Sequence, residues 1–166
     1  MNILVFSDSH GDVDVMAELT ARWRPDRVLH LGDHFSDMVK LHLRFPEIPM
    51  QGVRGNCDAP GSPESLRLTL EGATLLLVHG HRQGVKEDLE RLYFTALESE
   101  ADLVLFGHTH RALHEREGKV EFFNPGSVGR GWPPSYGLLR LGDGPMSAEI
   151  ITLRTDRAPV AFPAFL

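Results

Sequence analysis

Five short clusters of metal-competent side chains each follow an apolar run. NILVF precedes Ser7-Asp8-Ser9-His10-Gly11, RVLHL precedes Gly32-Asp33-His34, and MQGV precedes Arg54-Gly55-Asn56-Cys57-Asp58. TLLLV precedes His79-Gly80-His81, and DLVLF precedes Gly107-His108-Thr109-His110. One Asp-x-His or His-x-His arises readily without a role. Five in a row, each behind a strand-like run, have no such explanation. Carboxylate, imidazole and amide donors with a single cysteine suit Mn, Zn, Fe, Co or Ni and disfavour an iron–sulfur cluster. Together the five clusters offer seven candidate ligands. They exceed what one ion with bound water usually takes from protein. Two ions sharing one carboxylate, about 3.5–4 Å apart, fit the count and can activate water and clamp a phosphoryl group. Alternate residues of an extended segment project together, which would join Asp8 to His10 and His108 to His110.

The elements that must carry these clusters follow from periodicity. Asn2–Phe6 reads as a strand buried on both faces. Asp12 can cap a helix in which Val15, Met16, Leu19 and Trp23 recur at helical spacing, ended by Pro25. Arg27–Leu31 is a second strand, Asp37–Phe45 a short helix and Met50–Val53 a third strand, so the first third is βαβαβ with parallel strands. Ser65–Leu70 and Thr74–His79 form a hairpin. An amphipathic helix then carries Val85, Leu89, Leu92, Tyr93 and Ala96 on one stripe. Asp102–Phe106 is another buried strand. Arg111–Arg116 with Lys119–Phe123, and Tyr136–Leu141 with Ala148–Leu153, make two more pairs. The expected fold is α/β, two sheets packed together with helices outside. The carboxyl ends of strands in such sheets gather ligands, so the five loops can converge. Residues 157–166 read as an extended surface tail that could dock on a second copy, a homodimer.

Length and charge exclude other classes. At 166 residues the chain suits one domain, 1–166, and is too short for a (β/α)₈ barrel of about 250 residues. No apolar run approaches the roughly 20 residues that span a bilayer, and Met1–Gly11 reads as a strand and not as a signal peptide. A net charge of −6 without a dense basic stretch argues against broad nucleic-acid binding. The single cysteine excludes an intrachain disulfide and fits a cytoplasmic protein.

Asp8-x-His10, Gly32-Asp33, Gly55-Asn56, His79-Gly80 and Gly107-His108-x-His110 resemble, in order, the motifs of the calcineurin-like metallophosphoesterase superfamily. Gly-Asn-Cys-Asp and Asn124-Pro-Gly-Ser127 resemble its small bacterial and archaeal YfcE-type phosphodiesterase branch. The resemblance implies a four-layer αββα sandwich with a dinuclear site at one edge, manganese being the first choice of metal. It implies Asp8, His10 and His110 on one ion, Asn56, His79 and His108 on the other, and Asp33 bridging. It further implies hydrolysis of a small phosphoester, favouring diesters, by in-line attack of a hydroxide shared between the ions. A phosphomonoesterase acting on the same site is the alternative. A non-catalytic interaction module like the retromer scaffold subunit is a third reading, disfavoured because all seven ligand positions are filled. Two rival hydrolase classes fail: the second Asp of haloacid-dehalogenase phosphatases is replaced by His10, and His110-Arg111-Ala112 breaks the metallo-β-lactamase pattern.

In many superfamily members a His after the third-motif Asn protonates the leaving group. Here Cys57 stands there, and a thiol is an uncommon general acid. His81 is a possible substitute, so the catalytic set comprises Asp33, Asn56, Cys57 and His81. His30 reads as an interior histidine, and His42 and His114 as solvated. His34 could line the site, Asp58 could orient a neighbour, Arg130 could bind a phosphate and Trp132 could stack on a base or aryl group. Cys57→Ala is expected to lower turnover of an activated aryl phosphate only modestly, whereas Asp33→Asn nearly abolishes it. Comparable losses would assign the thiol a larger part.

Overall fold

A computed structural model of the chain describes residues 1–142 and 144–153. Among the described residues, ten strands and three helices run in the order β1 (Asn2–Phe6), α1 (Val13–Trp23), β2 (Arg27–His30), α2 (Phe35–Arg44), β3 (Met50–Gly52), β4 (Ser65–Leu70), β5 (Ala73–Val78), α3 (Glu90–Glu98), β6 (Leu103–Leu105), β7 (Leu113–Glu117), β8 (Val120–Asn124), β9 (Ser135–Arg140) and β10 (Ser147–Thr152). They form two five-stranded mixed sheets, ordered β10-β9-β1-β2-β3 and β4-β5-β6-β8-β7. The tail expected at residues 157–166 lies outside the described residues.

Alternation in β1 shows how the layers arise. Ile3 and Val5 point between the sheets, packing with Leu29 and Leu31 of their own sheet and with Leu75, Leu77, Leu103, Leu105 and Phe123 of the other. Leu4 and Phe6 point the opposite way, onto Val13, Met16 and Leu19 of α1 and Leu41 of α2. Both faces of the strand are covered, so NILVF must be apolar at four successive positions. On the far side, Leu76, Val78, Val104 and Phe122 pack against Leu92 and Ala96 of α3. The result is the αββα sandwich expected from the sequence, and no described helix is long and apolar enough to cross a membrane.

Parallel pairing fixes where the functional loops go. β1, β2 and β3 are parallel in one sheet, and β5, β6 and β8 in the other. Parallel strands end at the same edge of a sheet, so the five loops leave together. Asp8 N–H donates to the Gly32 carbonyl at 3.0 Å and Gly107 N–H to the His79 carbonyl at 3.0 Å, which ties neighbouring loops within each sheet.

Three local expectations are corrected. The helix expected from Val85 begins only at Glu90. Gly84 has φ +67° and Val85 packs under Gly80, so the first turns of the stripe serve a loop. Asp12 occupies the N-cap of α1 but makes no side-chain cap hydrogen bond. The segments after β1 and β6 are not extended: Asp8, His10, His108 and His110 have φ of 52°, 47°, 68° and 58°.

His30, fully buried inside β2, is the interior histidine expected of it. Burial pushes its imidazole down to about 4. The unfolded chain takes up that proton near the ordinary histidine value, about 6.5. As pH falls the unfolded state therefore protonates first, so stability present above about 6.5 is lost on the way to 4, about 2 kcal/mol of it between pH 7 and 5. His30→Gln is expected to flatten the pH dependence of the urea midpoint of metal-free protein over that range. An unchanged slope would contradict this.

Candidate metal centre

At the shared edge the ligand-type atoms of Asp8, His10, Asp33 and His110 lie within 4.8 Å of one another, and those of Asp33, His79 and His108 do likewise. Asp33 belongs to both groups. Its Oδ2 is 3.9 Å from His10 Nε2, and its Oδ1 is 3.4 Å from His79 Nε2. Asn56 borders the second group, with Oδ1 3.2 Å from His79 Nε2. His108 and His110 thus part company, one in each group, because their left-handed backbones turn the side chains away from the common face an extended segment would give them.

The backbone here is costly. Of the non-glycine residues with positive φ, Asp8, His10, Asp33, His34, His108 and His110 are all at this edge. A left-handed non-glycine residue costs roughly 1 kcal/mol or more, and such strain gathers at functional sites. Close approach also requires two glycines. A Cβ on Gly107 would strike Ser7 Oγ, and one on Gly55 would strike Asp33 Oδ1.

Hydrogen bonds orient the donors. His79 Nδ1 lies 2.7 Å from the Leu31 carbonyl, so Nδ1–H donates there and Nε2 is the nitrogen turned to the site, the atom that would ligate once it carries no proton. Ser7 Oγ (2.5 Å) and His108 N–H (3.1 Å) both donate to Asp8 Oδ2. Cys57 N–H donates to Asp33 Oδ1 at 3.0 Å. Ser127 Oγ donates to the Asp8 carbonyl at 2.8 Å, and Asn124 Nδ2 to the Gly107 carbonyl at 3.0 Å, which brings the Asn-Pro-Gly-Ser turn against the loops. Ser7 and the Leu31 carbonyl escaped sequence reasoning. Ser7 stood in the Ser-Asp-Ser-His run without a motif of its own, and a backbone carbonyl has no signature.

Charge states suit a cation. Burial raises the Asp33 carboxyl, but hydrogen bonds from His79 and the Cys57 amide overcome it and hold it well below the usual carboxylate range. Burial likewise opposes ionisation of Asp8, and the neighbouring His110 and His79 with the Ser7 hydroxyl outweigh it. Burial pushes His108 down to about 4, helped by the charges of His79 and Lys86, and it lowers His10. Both rings are neutral at pH 7, the state that ligates. His79 is raised despite its burial, because Asp33 and Asp8 create a negative potential at its ring. Asp8 Oδ1 is buried without a well-formed hydrogen bond, 3.2 Å from His110 Nε2, and that nitrogen lies 3.4 Å from His10 Nε2. A buried carboxylate oxygen and two imidazole nitrogens converging on one point are donors that a divalent ion would satisfy, so the set fits one.

The remaining candidates sit around this core. Cys57 is exposed, with Sγ 3.5 Å from Asn56 Nδ2. Burial and the adjacent Asp33 raise its thiol, which keeps its proton at neutral pH. The His81 ring lies 5.5 Å from that of His79, outside both groups. Burial and the charges of His79 and Arg82 lower it, so it is a poor proton donor at pH 7. His34 packs edge-on to His10 with ring centroids 5.0 Å apart. Asp58 does orient its neighbours, accepting from Phe35 N–H and Gly55 N–H at 2.8 Å each. His42 is exposed as expected, whereas exposed His114 is tied to Glu121 at 2.6 Å. Arg130 is exposed, its N–H held by Ser127 Oγ, and Trp132 is 88% exposed.

The chain is similar to several known proteins. The chain is 35% identical over 167 residues to the probable metallophosphoesterase YsnB of Bacillus subtilis, covering 98% of this chain and 90% of that protein. It is 30% identical to phosphodiesterase YfcE of Escherichia coli, over 84% of this chain and 87% of that one. The YfcE structure superposes with a TM-score of 0.63, covering 84% of this chain and 88% of that chain at 27% identity. Vps29 of Chaetomium thermophilum shares the fold, with a TM-score of 0.75 at 20% identity over 94% of this chain and 90% of that one. The profile of the calcineurin-like phosphoesterase superfamily domain matches residues 1–144, and the chain belongs to that family.

Proposed function

We propose that this chain is a metal-dependent phosphodiesterase acting on a small phosphodiester through two divalent ions that share Asp33. The observation that carries the reading is the division of the Asp33 carboxylate, one oxygen turned to His79 and the other to His10. Asp8, His10 and His110 would complete one ion's ligands, and Asn56, His79 and His108 the other's. Such a pair supplies an activated water and offsets charge on the phosphoryl oxygens. Preference for diesters is supported by the likeness to phosphodiesterase YfcE.

The chain's own residues prepare this chemistry. The Leu31 carbonyl fixes the His79 tautomer, and the Ser7 hydroxyl and the His108 amide fix the Asp8 carboxylate. Asp33 stays ionised at any working pH because the Cys57 amide and His79 stabilise its charge. Protonation of the leaving oxygen falls to Cys57 or to solvent, since the lowered His81 offers a lone pair and not a proton. A substrate with a good leaving group suits such a site. Imidazole and carboxylate oxygen without thiolate suit manganese, iron, cobalt, nickel or zinc alike, and manganese is the first choice on the family resemblance alone.

Chelator-treated protein resupplied with Mn²⁺ is expected to cleave bis(4-nitrophenyl) phosphate faster than 4-nitrophenyl phosphate. Metal-dependent cleavage of the monoester alone would favour the phosphomonoesterase, and metal binding with neither activity would favour an interaction module. Mn²⁺ is also expected to raise the melting midpoint of the chelated protein, as any ligand of the native state does. Asp33→Asn should remove most of that rise, because both ions lose a shared ligand. An equal rise in the variant would contradict the shared carboxylate.

A further inference from the structure

Behind the metal groups lies a second set of buried polar side chains that the chemistry above does not use. Ser9, His30 and Asp37 are each fully buried. They come from the loop after β1, from β2 and from the first turn of α2. Burial of a carboxylate is costly unless several donors compensate it, and Asp37 has them. Its Oδ2 accepts from Ser9 Oγ at 2.9 Å and from Gly11 N–H at 2.7 Å. Its Oδ1 accepts from Lys40 Nζ at 3.1 Å, and His34 Nδ1 lies 3.8 Å from Oδ2.

The two residues held by that single oxygen are the neighbours of His10 on either side. The proton order is fixed from the far end. Gly32 N–H donates to His30 Nδ1 at 3.2 Å, so the neutral ring carries its proton on Nε2 and donates to Ser9 Oγ at 3.1 Å. The Ser9 hydroxyl proton then goes to Asp37 Oδ2 at 2.9 Å in preference to the Asp33 carbonyl at 3.4 Å. His10 itself sits at φ 47°, a left-handed conformation that a non-glycine residue keeps where its surroundings impose it.

We propose that Asp37 is a positioning residue that clamps Ser9 and Gly11 and thereby aims His10 at its ion, with His30 setting the Ser9 hydroxyl. The inference rests on the reading of Asp8, His10, Asp33 and His110 as one ion's ligands. Outer partners of this kind are worth about 10–100-fold in metal affinity. Asp37→Asn keeps an oxygen that can accept both bonds, whereas Asp37→Ala removes them.

Calorimetric titration of the metal-free full chain with Mn²⁺ tests it. Wild type is expected to take up two ions. Asp37→Ala should weaken one of them by about 10–100-fold and leave the other unchanged, while Asp37→Asn stays close to wild type. In a His10→Ala background, Asp37→Ala should have no further effect, a non-additivity that general destabilisation does not produce. If Asp37→Ala lacks a cooperative melt, Ser9→Ala decides: weakening of the same ion supports the clamp, and wild-type binding overturns it. Equal weakening of both ions, full binding by Asp37→Ala, or additive losses with His10→Ala would also overturn it. Wild-type protein that takes up fewer than two ions contradicts the dinuclear reading instead, and the inference falls with it.

Discussion

Two carboxylates, Asp8 and Asp33, are almost wholly withdrawn from solvent beside one another's ligands, and among the described residues neither is paired with a lysine or arginine. Their compensation comes from a hydroxyl, backbone amides and imidazoles. Fixed cations would neutralise the pocket and end its usefulness for a mobile one. Keeping two anions buried without them is the constraint to which the rest of the edge conforms. The left-handed loop residues, the glycines that admit neighbouring side chains and the bonds from Ser7 and Cys57 all keep donors within reach of these two groups. A chain of net charge −6 can still present such a site to an anionic phosphoester, because bound divalent ions would reverse the local field.

The sandwich supplies the rigidity. Parallel strands in both sheets end at one edge, and β1, β2, β5 and β6 are close-packed with apolar neighbours on both faces, which holds them in place. His79 then joins the sheets directly, its ring bonded to the Leu31 carbonyl of the opposite one. Misplacement of either sheet would therefore disturb the tautomer of a candidate ligand as well as the core. Packing and chemistry share the same atoms at that point.

Much of this was legible in the sequence because apolar runs and polar clusters obey simple rules. NILVF had to be covered on both faces, and Asp or His after each run had to leave at the strand's carboxyl end. The family resemblance and the sandwich followed from the same residues. Three things were not legible. Left-handed backbone at Asp8, His10, Asp33 and His108 leaves only a weak trace in residue type, the modest preference of Asp and His for that region, so an extended segment was the natural expectation for two of the loops. The stripe from Val85 to Ala96 has helical period, yet Gly84 and the packing of Val85 under Gly80 take its first turns into a loop. Asp37 read as an ordinary residue of a short helix, since its bonds to Ser9 and Gly11 depend on tertiary contact alone.

Anomalous diffraction from crystals grown with Mn²⁺ addresses the two-ion site most directly. The account predicts two manganese peaks about 3.5–4 Å apart, one among Asp8, His10 and His110, the other among Asn56, His79 and His108, with the Asp33 carboxylate between them. A single peak, or two peaks with Asp33 contacting only one, would contradict it.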